Sequence, residues 1–392
     1  MEIIEEQITF STTADFELGF EHQARETNYF LARPNTDIKG LVVYIPGFGE
    51  DLGGYRQVFC RKIAQNHSLA AITVDYHSIF SRPNSGATIA YDKQDIVQIE
   101  KLFLQYGLSM QGIRTVESAI ETLNLHLAKA NQTTSISATL KPAKGEYQNG
   151  GILSALDIIN AVGNVLKRLD IPSDNIILVG SSYGGYIANL ASKLAPNSFR
   201  AIFDNSSWAH PNLAYVVGRE VSQPEFIAQM HSHIRTNCNL RTAWTLIENM
   251  PNTFDASRVA IRDFSAEQIA QLSKYNPNAF YYFIHAPNDT IANTDEKISM
   301  AREMIQHQMN VHMEVIEPND VDGRYIKTIN HGMGLSMLMF FDNGYQHIAE
   351  HTVSAKTDFS SQKVINYQTP MFEYEFDYKS LPVSARVRPV IS

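Results

Sequence analysis

Residues 175–192, NIILVGSSYGGYIANLAS, constrain the fold more than any other part of the chain. The apolar run IILV leads into a turn of glycines and serines. After the turn, Ile187, Leu190, Ala191 and Leu194 recur at helical spacing. A continuous apolar run is typical of a strand buried on both faces, as in a parallel sheet covered by helices. The segment therefore predicts a strand, a tight turn and a helix.

Similar strand patterns recur along the chain and alternate with helical ones. They occupy residues 40–50, 69–76, 199–205, 279–285 and 311–316, whereas residues 1–38 alternate like antiparallel edge strands. This alternation predicts an α/β fold with a doubly wound, mostly parallel sheet. We expect a single domain over residues 1–392, with helical lid insertions at about 80–150 and 206–277 and a C-terminal extension at about 345–392.

Composition and charge exclude several classes of function. The formal net charge of −9 and the scattered basic residues argue against nucleic-acid binding. The only cysteines, Cys60 and Cys238, are far apart, which excludes a disulfide framework or a cysteine zinc site. No apolar stretch reaches the ~20 residues that span a bilayer. The acidic start, MEIIEEQITF, lacks a secretory pattern, so we expect a cytoplasmic protein.

The turn itself carries a chemical motif. Residues 180–184, GSSYG, fit G-x-S-x-G, in which a serine occupies a sharp corner between a strand and a helix. Ser182 is the predicted nucleophile rather than Ser181, because the glycine frame centres on it. Gly180 and Gly184 are expected where a Cβ would come too close to neighbouring backbone. A simple glycine–serine turn is the alternative.

A serine hydroxyl needs a base, and a histidine base needs an orienting acid. In an elbow of this kind both follow the serine in chain order. Asp289 follows the strand at 279–285, and His331 follows the strand at 311–316. We therefore predict Ser182, Asp289 and His331 as the catalytic residues. Asp204 is an alternative acid, whereas Asp320 and Asp322 are expected to be loop carboxylates.

The oxyanion of an acyl-transfer intermediate needs two backbone N–H donors, each typically worth roughly 3–4 kcal/mol of barrier. Tyr183, the residue after the nucleophile, is the first candidate. Phe48, in IPGFGED after the first buried strand, is the second. Its neighbours Gly47 and Gly49 would let the backbone approach a substrate. A plain tight turn is the alternative for that loop.

Most of the 13 histidines have no predicted chemistry. His285 lies within a strand. The pairs His231/His233 and His347/His351 have spacings that could suit a metal, but no carboxylate cluster completes either pair. We therefore expect neither a metal nor a cofactor.

The chain resembles the α/β-hydrolase superfamily over about residues 40–350. The resemblance rests on PGFG, GSSYGGY, PND and NHG in that order. The SYGGY elbow is similar to that of prolyl-oligopeptidase-type serine peptidases and some acyl esterases. Pro46 stands where many relatives have a histidine before the glycine. The stretches DYHSIFSRPNSGA and KGEYQNGGI are similar to a group of bacterial α/β-hydrolase-like proteins of unassigned function.

These features predict a serine hydrolase that cleaves a carboxylic ester or related acyl bond, acting on an acyl ester or an acylated sugar. A peptidase for short peptides is one alternative, and a non-catalytic binding protein on a hydrolase fold is another. The predicted lid would shape the pocket, with His77, Arg82, Tyr147 and Trp208 as candidate lining residues. The oligomeric state is not predicted.

Overall fold

The computed structural model describes residues 2–49, 52–276, 278–348 and 357–390. Glu50, Asp51 and His351, which belong to motifs discussed above, lie outside these residues. The strands are β1 (Ile3–Thr12), β2 (Arg25–Pro34), β3 (Leu41–Ile45), β4 (Ala70–Val74), β5 (Thr88–Ala90), β6 (Thr134–Lys141), β7 (Ile176–Ser181), β8 (Ala201–Asn205), β9 (Phe226–Ala228), β10 (Ile234–Leu240), β11 (Phe280–His285), β12 (Asn310–Val315), β13 (Val364–Gln368), β14 (Phe372–Asp377) and β15 (Ser384–Pro389).

The helices follow the same chain order. They are α1 (Tyr55–His67), α2 (Lys93–Gln105), α3 (Val116–Ala130), α4 (Ile152–Arg168), α5 (Tyr183–Leu194), α6 (Leu213–Val217), α7 (Ala256–Arg262), α8 (Ala266–Ser273), α9 (Thr294–Gln306), α10 (Met337–Ile348) and α11 (Asp358–Ser361). Among the described residues, no helix combines the length and the apolar character needed to cross a bilayer.

Eight strands form the central sheet in the order β1-β2-β4-β3-β7-β8-β11-β12. Strand β2 pairs antiparallel with both of its neighbours, and the strands from β4 to β12 pair in parallel. The predicted mostly parallel α/β sheet is therefore confirmed, and its strand order is that of the α/β-hydrolase fold. Every residue of β3, β4, β8 and β11 is buried, which explains why these strands are continuous apolar runs.

The chain forms two compact units. The first comprises Met1–Ile79, Gly150–Pro211 and Phe254–Ser392, and the second comprises Phe80–Asn149 and Asn212–Thr253. The first unit holds the central sheet. In its core, Phe59 of α1 and Phe341 of α10 pack with Tyr44, Val179 and other side chains from one face of the sheet.

The second unit differs from the sequence expectation of helical insertions. It contains a four-stranded sheet in the order β5-β6-β10-β9 beside α2 and α3. Strand β6 was not predicted from the sequence, because five of the eight residues in TSISATLK are polar. Strand β10 was missed for the same reason, since IRTNCNL buries Thr and Asn side chains. Residues 254–277, predicted to be part of the insertion, fall within the first unit's range.

The C-terminal segment adds a three-stranded antiparallel sheet, β13-β14-β15, to the first unit. Two of its tyrosines bind the end of α5. The Tyr367 hydroxyl donates to the Lys193 carbonyl at 2.6 Å, and the Tyr378 hydroxyl donates to the Leu194 carbonyl at 2.8 Å. These bonds satisfy carbonyls that a helix C-terminus otherwise leaves without intrahelical donors. The segment therefore fixes the far end of the helix that begins after Ser182.

Candidate active site

Ser182 occupies a strained corner between β7 and α5. Its φ of 54° and ψ of −123° lie where a residue with a side chain rarely sits. A Cβ on Gly180 would approach the Gly184 carbonyl oxygen to 2.3 Å, and a Cβ on Gly184 would approach the Ile45 carbonyl oxygen to 2.1 Å. Both positions therefore require glycine. The corner holds the serine hydroxyl out from the sheet edge, at the N-terminus of α5.

The structure brings Ser182, His331 and Asp289 into one hydrogen-bonded chain. Ser182 Oγ lies 2.8 Å from His331 Nε2, and His331 Nδ1 lies 2.7 Å from Asp289 Oδ2. An ionised carboxylate only accepts hydrogen bonds, so Nδ1 carries the ring proton and Nε2 accepts from the serine hydroxyl. The residues meet because β7, β11 and β12 are parallel, and the loops after their carboxyl ends share one edge.

The Asp289 side chain is fully buried, and its two oxygens have separate partners. Oδ2 faces His331, whereas Oδ1 accepts from the Ile291 N–H at 2.8 Å and the Ala292 N–H at 2.9 Å. Burial alone would raise the pKa of this carboxyl, but the hydrogen bonds from His331 and the two N–H groups hold the pKa below its usual value. Asp289 is therefore held ionised beside the imidazole.

The alternative acid, Asp204, is engaged elsewhere. Its carboxylate accepts from Lys297 Nζ at 2.5 Å, from Asn189 Nδ2 at 2.6 Å and from the Ser207 backbone N–H at 3.1 Å. Asp204 and Lys297 are both fully buried, so the pair is a structural ion pair beneath the elbow helix. Asp320 and Asp322 accept from nearby backbone N–H groups in their own loop, as expected.

Asn205, at the end of β8, is a site residue that the sequence analysis missed. Its side-chain amide donates to Ser181 Oγ and to the Gly332 carbonyl, at 3.2 Å in each case. The backbone carbonyl of Asn205 accepts from the Ser182 N–H at 2.7 Å. Asn205 therefore links the serine corner to the residue after His331. Its position at the carboxyl end of a parallel strand was the only signal available in the sequence.

The two predicted oxyanion donors, Tyr183 and Phe48, have side chains in contact. Tyr183 is the first residue of α5, and its ring packs edge-on against the Phe48 ring with centroids 5.0 Å apart. The Tyr76 hydroxyl, which the sequence analysis did not single out, lies 2.9 Å from the Pro46 carbonyl oxygen and 3.2 Å from that of Gly47. In a trans peptide the N–H points opposite to the C=O. Tyr76 therefore restricts the direction of the Phe48 N–H.

The four candidate lining residues fall into both units. His77 and Trp208 belong to the first unit, and Arg82 and Tyr147 belong to the second. The His77 N–H donates to Asp157 Oδ2 at 2.7 Å, within a buried polar cluster.

The other candidates are also engaged in contacts. Trp208 Nε1–H donates to the Ile291 carbonyl at 2.6 Å, Arg82 pairs with Glu225 at 2.5 Å, and the Tyr147 hydroxyl accepts from Asn149 at 3.3 Å. Each contact lies within a single unit.

His285 lies behind Asp289. Its Nε2–H donates to the Ala292 carbonyl at 2.9 Å and lies 3.7 Å from Asp289 Oδ2. Burial lowers the pKa of His285, which favours the neutral ring. Among the described residues, no group of three or more histidine, cysteine, aspartate or glutamate side chains is arranged to hold a metal.

Solved structures that resemble this chain include esterases and a peptidase. One of two fungal esterases from Rhizomucor miehei has 12% identity and a TM-score of 0.42, with 89% of this chain and 83% of that chain covered. Est1E from Butyrivibrio proteoclasticus, solved with ferulic acid, has 12% identity and a TM-score of 0.42. The match covers 83% of this chain and 95% of that chain. Acylaminoacyl peptidase from Pyrococcus horikoshii has 11% identity and a TM-score of 0.43. The match covers 86% of this chain and 41% of that chain, so this chain spans less than half of that peptidase.

The family comparison covers almost the whole chain. The matching family model is described as "Protein of unknown function (DUF2920)", and it matches residues 8–384. That range includes the elbow, the acid loop and the histidine loop. This chain therefore belongs to the DUF2920 family.

Proposed function

We propose that this protein is a serine hydrolase that cleaves a carboxylic ester or related acyl bond through an acyl-enzyme. The proposal is carried by one observation, the chain of hydrogen bonds from Ser182 through His331 to the buried Asp289. A hydroxyl at a strained corner, an imidazole with its acceptor nitrogen turned to that hydroxyl, and a carboxylate behind the imidazole are the parts that nucleophilic acyl transfer needs.

The reaction would proceed in two halves. In the first, Ser182 Oγ attacks the carbonyl carbon while His331 Nε2 takes the hydroxyl proton. The bond to the leaving oxygen then breaks, and His331 gives its proton to that oxygen. In the second half, water attacks the acyl carbon, His331 takes a proton from the water, and the acid leaves as the proton returns to Ser182. Asp289 stabilises the imidazolium formed in each half.

The oxyanion would be held by the N–H groups of Tyr183 and Phe48. This assignment is supported by Tyr183's position at the start of α5, whose N-terminus favours negative charge. It is also supported by the close approach of the elbow to the preceding loop. A Cβ on Gly184 would lie 2.5 Å from the Pro46 carbonyl oxygen, two residues before Phe48.

The expected substrates are small acyl esters, acylated sugars or short peptides. A panel of acyl esters of increasing chain length, acetylated sugars and aminoacyl amides tests the proposal on the purified protein. We expect turnover of esters, its loss in Ser182→Ala, and its retention in Ser181→Ala, a matched control one residue away. Faster cleavage of aminoacyl amides than of esters would instead favour the peptidase. No turnover of any substrate would contradict the proposal.

The cytoplasmic location expected from the N-terminal sequence stays a prediction. So does the division into one hydrolase domain with a lid, and the role of the second unit as that lid. Alanine substitutions in the second unit would test its role as the lid, because changes in a lid should alter the preferred acyl chain length and leave covalent labelling of Ser182 by a fluorophosphonate probe intact.

A further inference from the structure

Trp208 joins the acid loop to the elbow helix. The side chain is buried, and its indole N–H donates to the Ile291 carbonyl oxygen at 2.6 Å. Its ring packs edge-on against Tyr183, with centroids 5.8 Å apart, and against Tyr186, with centroids 6.2 Å apart. Tyr183 directly follows the nucleophile and is the first residue of α5, so one side chain contacts both the acid-bearing loop and the elbow helix.

The bond to Ile291 reaches the carboxylate through a single peptide group. The C=O of Ile291 and the N–H of Ala292 belong to the same planar unit and point in opposite directions. Trp208 donates to the oxygen of this peptide, and the Ala292 N–H of the same peptide donates to Asp289 Oδ1 at 2.9 Å. Hydrogen bonds in such a series polarise one another and fix the plane of the peptide between them.

We propose that Trp208 is a positioning residue, which orients the Asp289 carboxylate so that Oδ2 faces His331. The inference rests on the proposed roles of Asp289 and His331. Trp208 fixes one of the two peptides that hold Oδ1, and the carboxylate is planar, so this contact helps to set the direction of Oδ2. At 2.7 Å from Nδ1, Oδ2 then holds His331 in the tautomer whose other nitrogen accepts from Ser182.

His285 supports the same loop at a different peptide. His285 donates to the Ala292 carbonyl, and the N–H of that peptide group belongs to the residue after Ala292. The N–H that donates to Asp289 is that of Ala292 itself, in the preceding peptide group. Trp208 therefore binds the same peptide group that supplies one of the two N–H donors to the carboxylate. This distinction makes the indole N–H testable by itself.

The first test is Trp208→Phe, which keeps an aromatic ring against Tyr183 and removes the N–H. We expect kcat on a small ester to fall about tenfold, the effect of one hydrogen bond, with KM almost unchanged. Trp244→Phe is the matched control, since Trp244 is the only other tryptophan and lies in the second unit. An unchanged kcat in Trp208→Phe, with Trp244→Phe also unchanged, would overturn the proposal.

A second measurement covers the case in which the ring change disturbs folding. In the Trp244→Phe background, replacing Trp208 with benzothienylalanine keeps the shape of the ring and deletes only the N–H. Proton NMR then follows the downfield resonance of His331 Nδ1–H, assigned by its loss in Asp289→Asn. We expect the resonance to shift and broaden when the indole N–H is absent.

The NMR outcome separates this inference from the proposed function. If the wild-type protein cleaves no ester, the proposed function fails, but a shifted His331 resonance still supports positioning by Trp208. If the wild-type protein is active and either kcat or the resonance is unchanged without the indole N–H, the positioning role is wrong while the proposed function stands.

Discussion

The side-chain amide of Asn205 donates to the carbonyl of Gly332 at 3.2 Å, and the backbone carbonyl of Asn205 accepts from the N–H of Ser182 at 2.7 Å. One residue at the end of β8 thus holds the corner that bears the hydroxyl and the loop that bears the imidazole. The distance between Ser182 Oγ and His331 Nε2 depends on both of these segments. Asn205 is therefore expected to affect the reaction without contacting the substrate.

Replacing Asn205 tests this linkage. We expect Asn205→Ala to lower kcat about tenfold, because the histidine loop loses a partly buried hydrogen bond that connects it to the end of β8. Steady-state kinetics on an ester substrate measure the change. Asn310→Ala is the control, since the Asn310 amide donates to a carbonyl at an exposed site. A normal kcat in Asn205→Ala, with only a lower melting temperature, would limit Asn205 to a structural role.

Substitutions of Asp289 and Asp204 test which aspartate orients His331. Asp289→Asn should lower kcat by about 10⁴-fold, because an amide can favour the wrong imidazole tautomer. Asp204→Asn should leave kcat per folded molecule nearly unchanged but cost about 3–5 kcal/mol of stability, since it leaves the buried Lys297 ammonium uncompensated. Kinetics and urea unfolding on both variants measure the two effects. The reverse pattern would move the acid to Asp204.

Gly184 tests the close approach at the elbow. A Cβ there would come within 2.1 Å of the Ile45 carbonyl oxygen, which is backbone and cannot move alone. We expect Gly184→Ala to cost about 1–3 kcal/mol or more of stability and to abolish activity. Gly53→Ala is the control, because a Cβ on Gly53 would meet nothing within 4 Å. Full activity in Gly184→Ala would contradict the elbow geometry.

Lys193 should make the stability of the first unit depend on pH. Burial lowers the pKa of this lysine to about 7, from the 10.5 expected in the unfolded chain. Between these two values the unfolded state binds more protons, so stability rises with pH, by at most about 1.4 kcal/mol per pH unit from this group. Lys193→Met should remove that rise. Melting temperatures of both proteins from pH 7 to 10 measure it, and parallel curves would show that Lys193 stays charged when folded.

Local sequence carried the information for the central sheet and for the three residues at its edge. Buried parallel strands are continuous apolar runs, and the loops after their carboxyl ends share one edge, so the proximity of Asp289 and His331 to Ser182 could be predicted from the strand pattern and the chain order typical of such an elbow. The glycines around Ser182 marked the corner because only glycine fits there.

The supporting contacts could not be predicted in the same way. Three side chains donate to backbone carbonyls of loops distant in sequence: Tyr76, Asn205 and Trp208. Every residue has a backbone carbonyl, so the sequence does not indicate which carbonyls accept these bonds. The sheet of the second unit was missed because β6 and β10 are rich in threonine, serine and asparagine, which are common in loops as well.

Covalent labelling by a fluorophosphonate probe, followed by peptide mapping, tests the central claim most directly. The probe should attach to Ser182 Oγ with loss of fluoride in the wild-type protein, react far more slowly in His331→Ala, and fail in Ser182→Ala. Equal labelling of wild type and Ser182→Ala, or no labelling of either protein, would contradict the account.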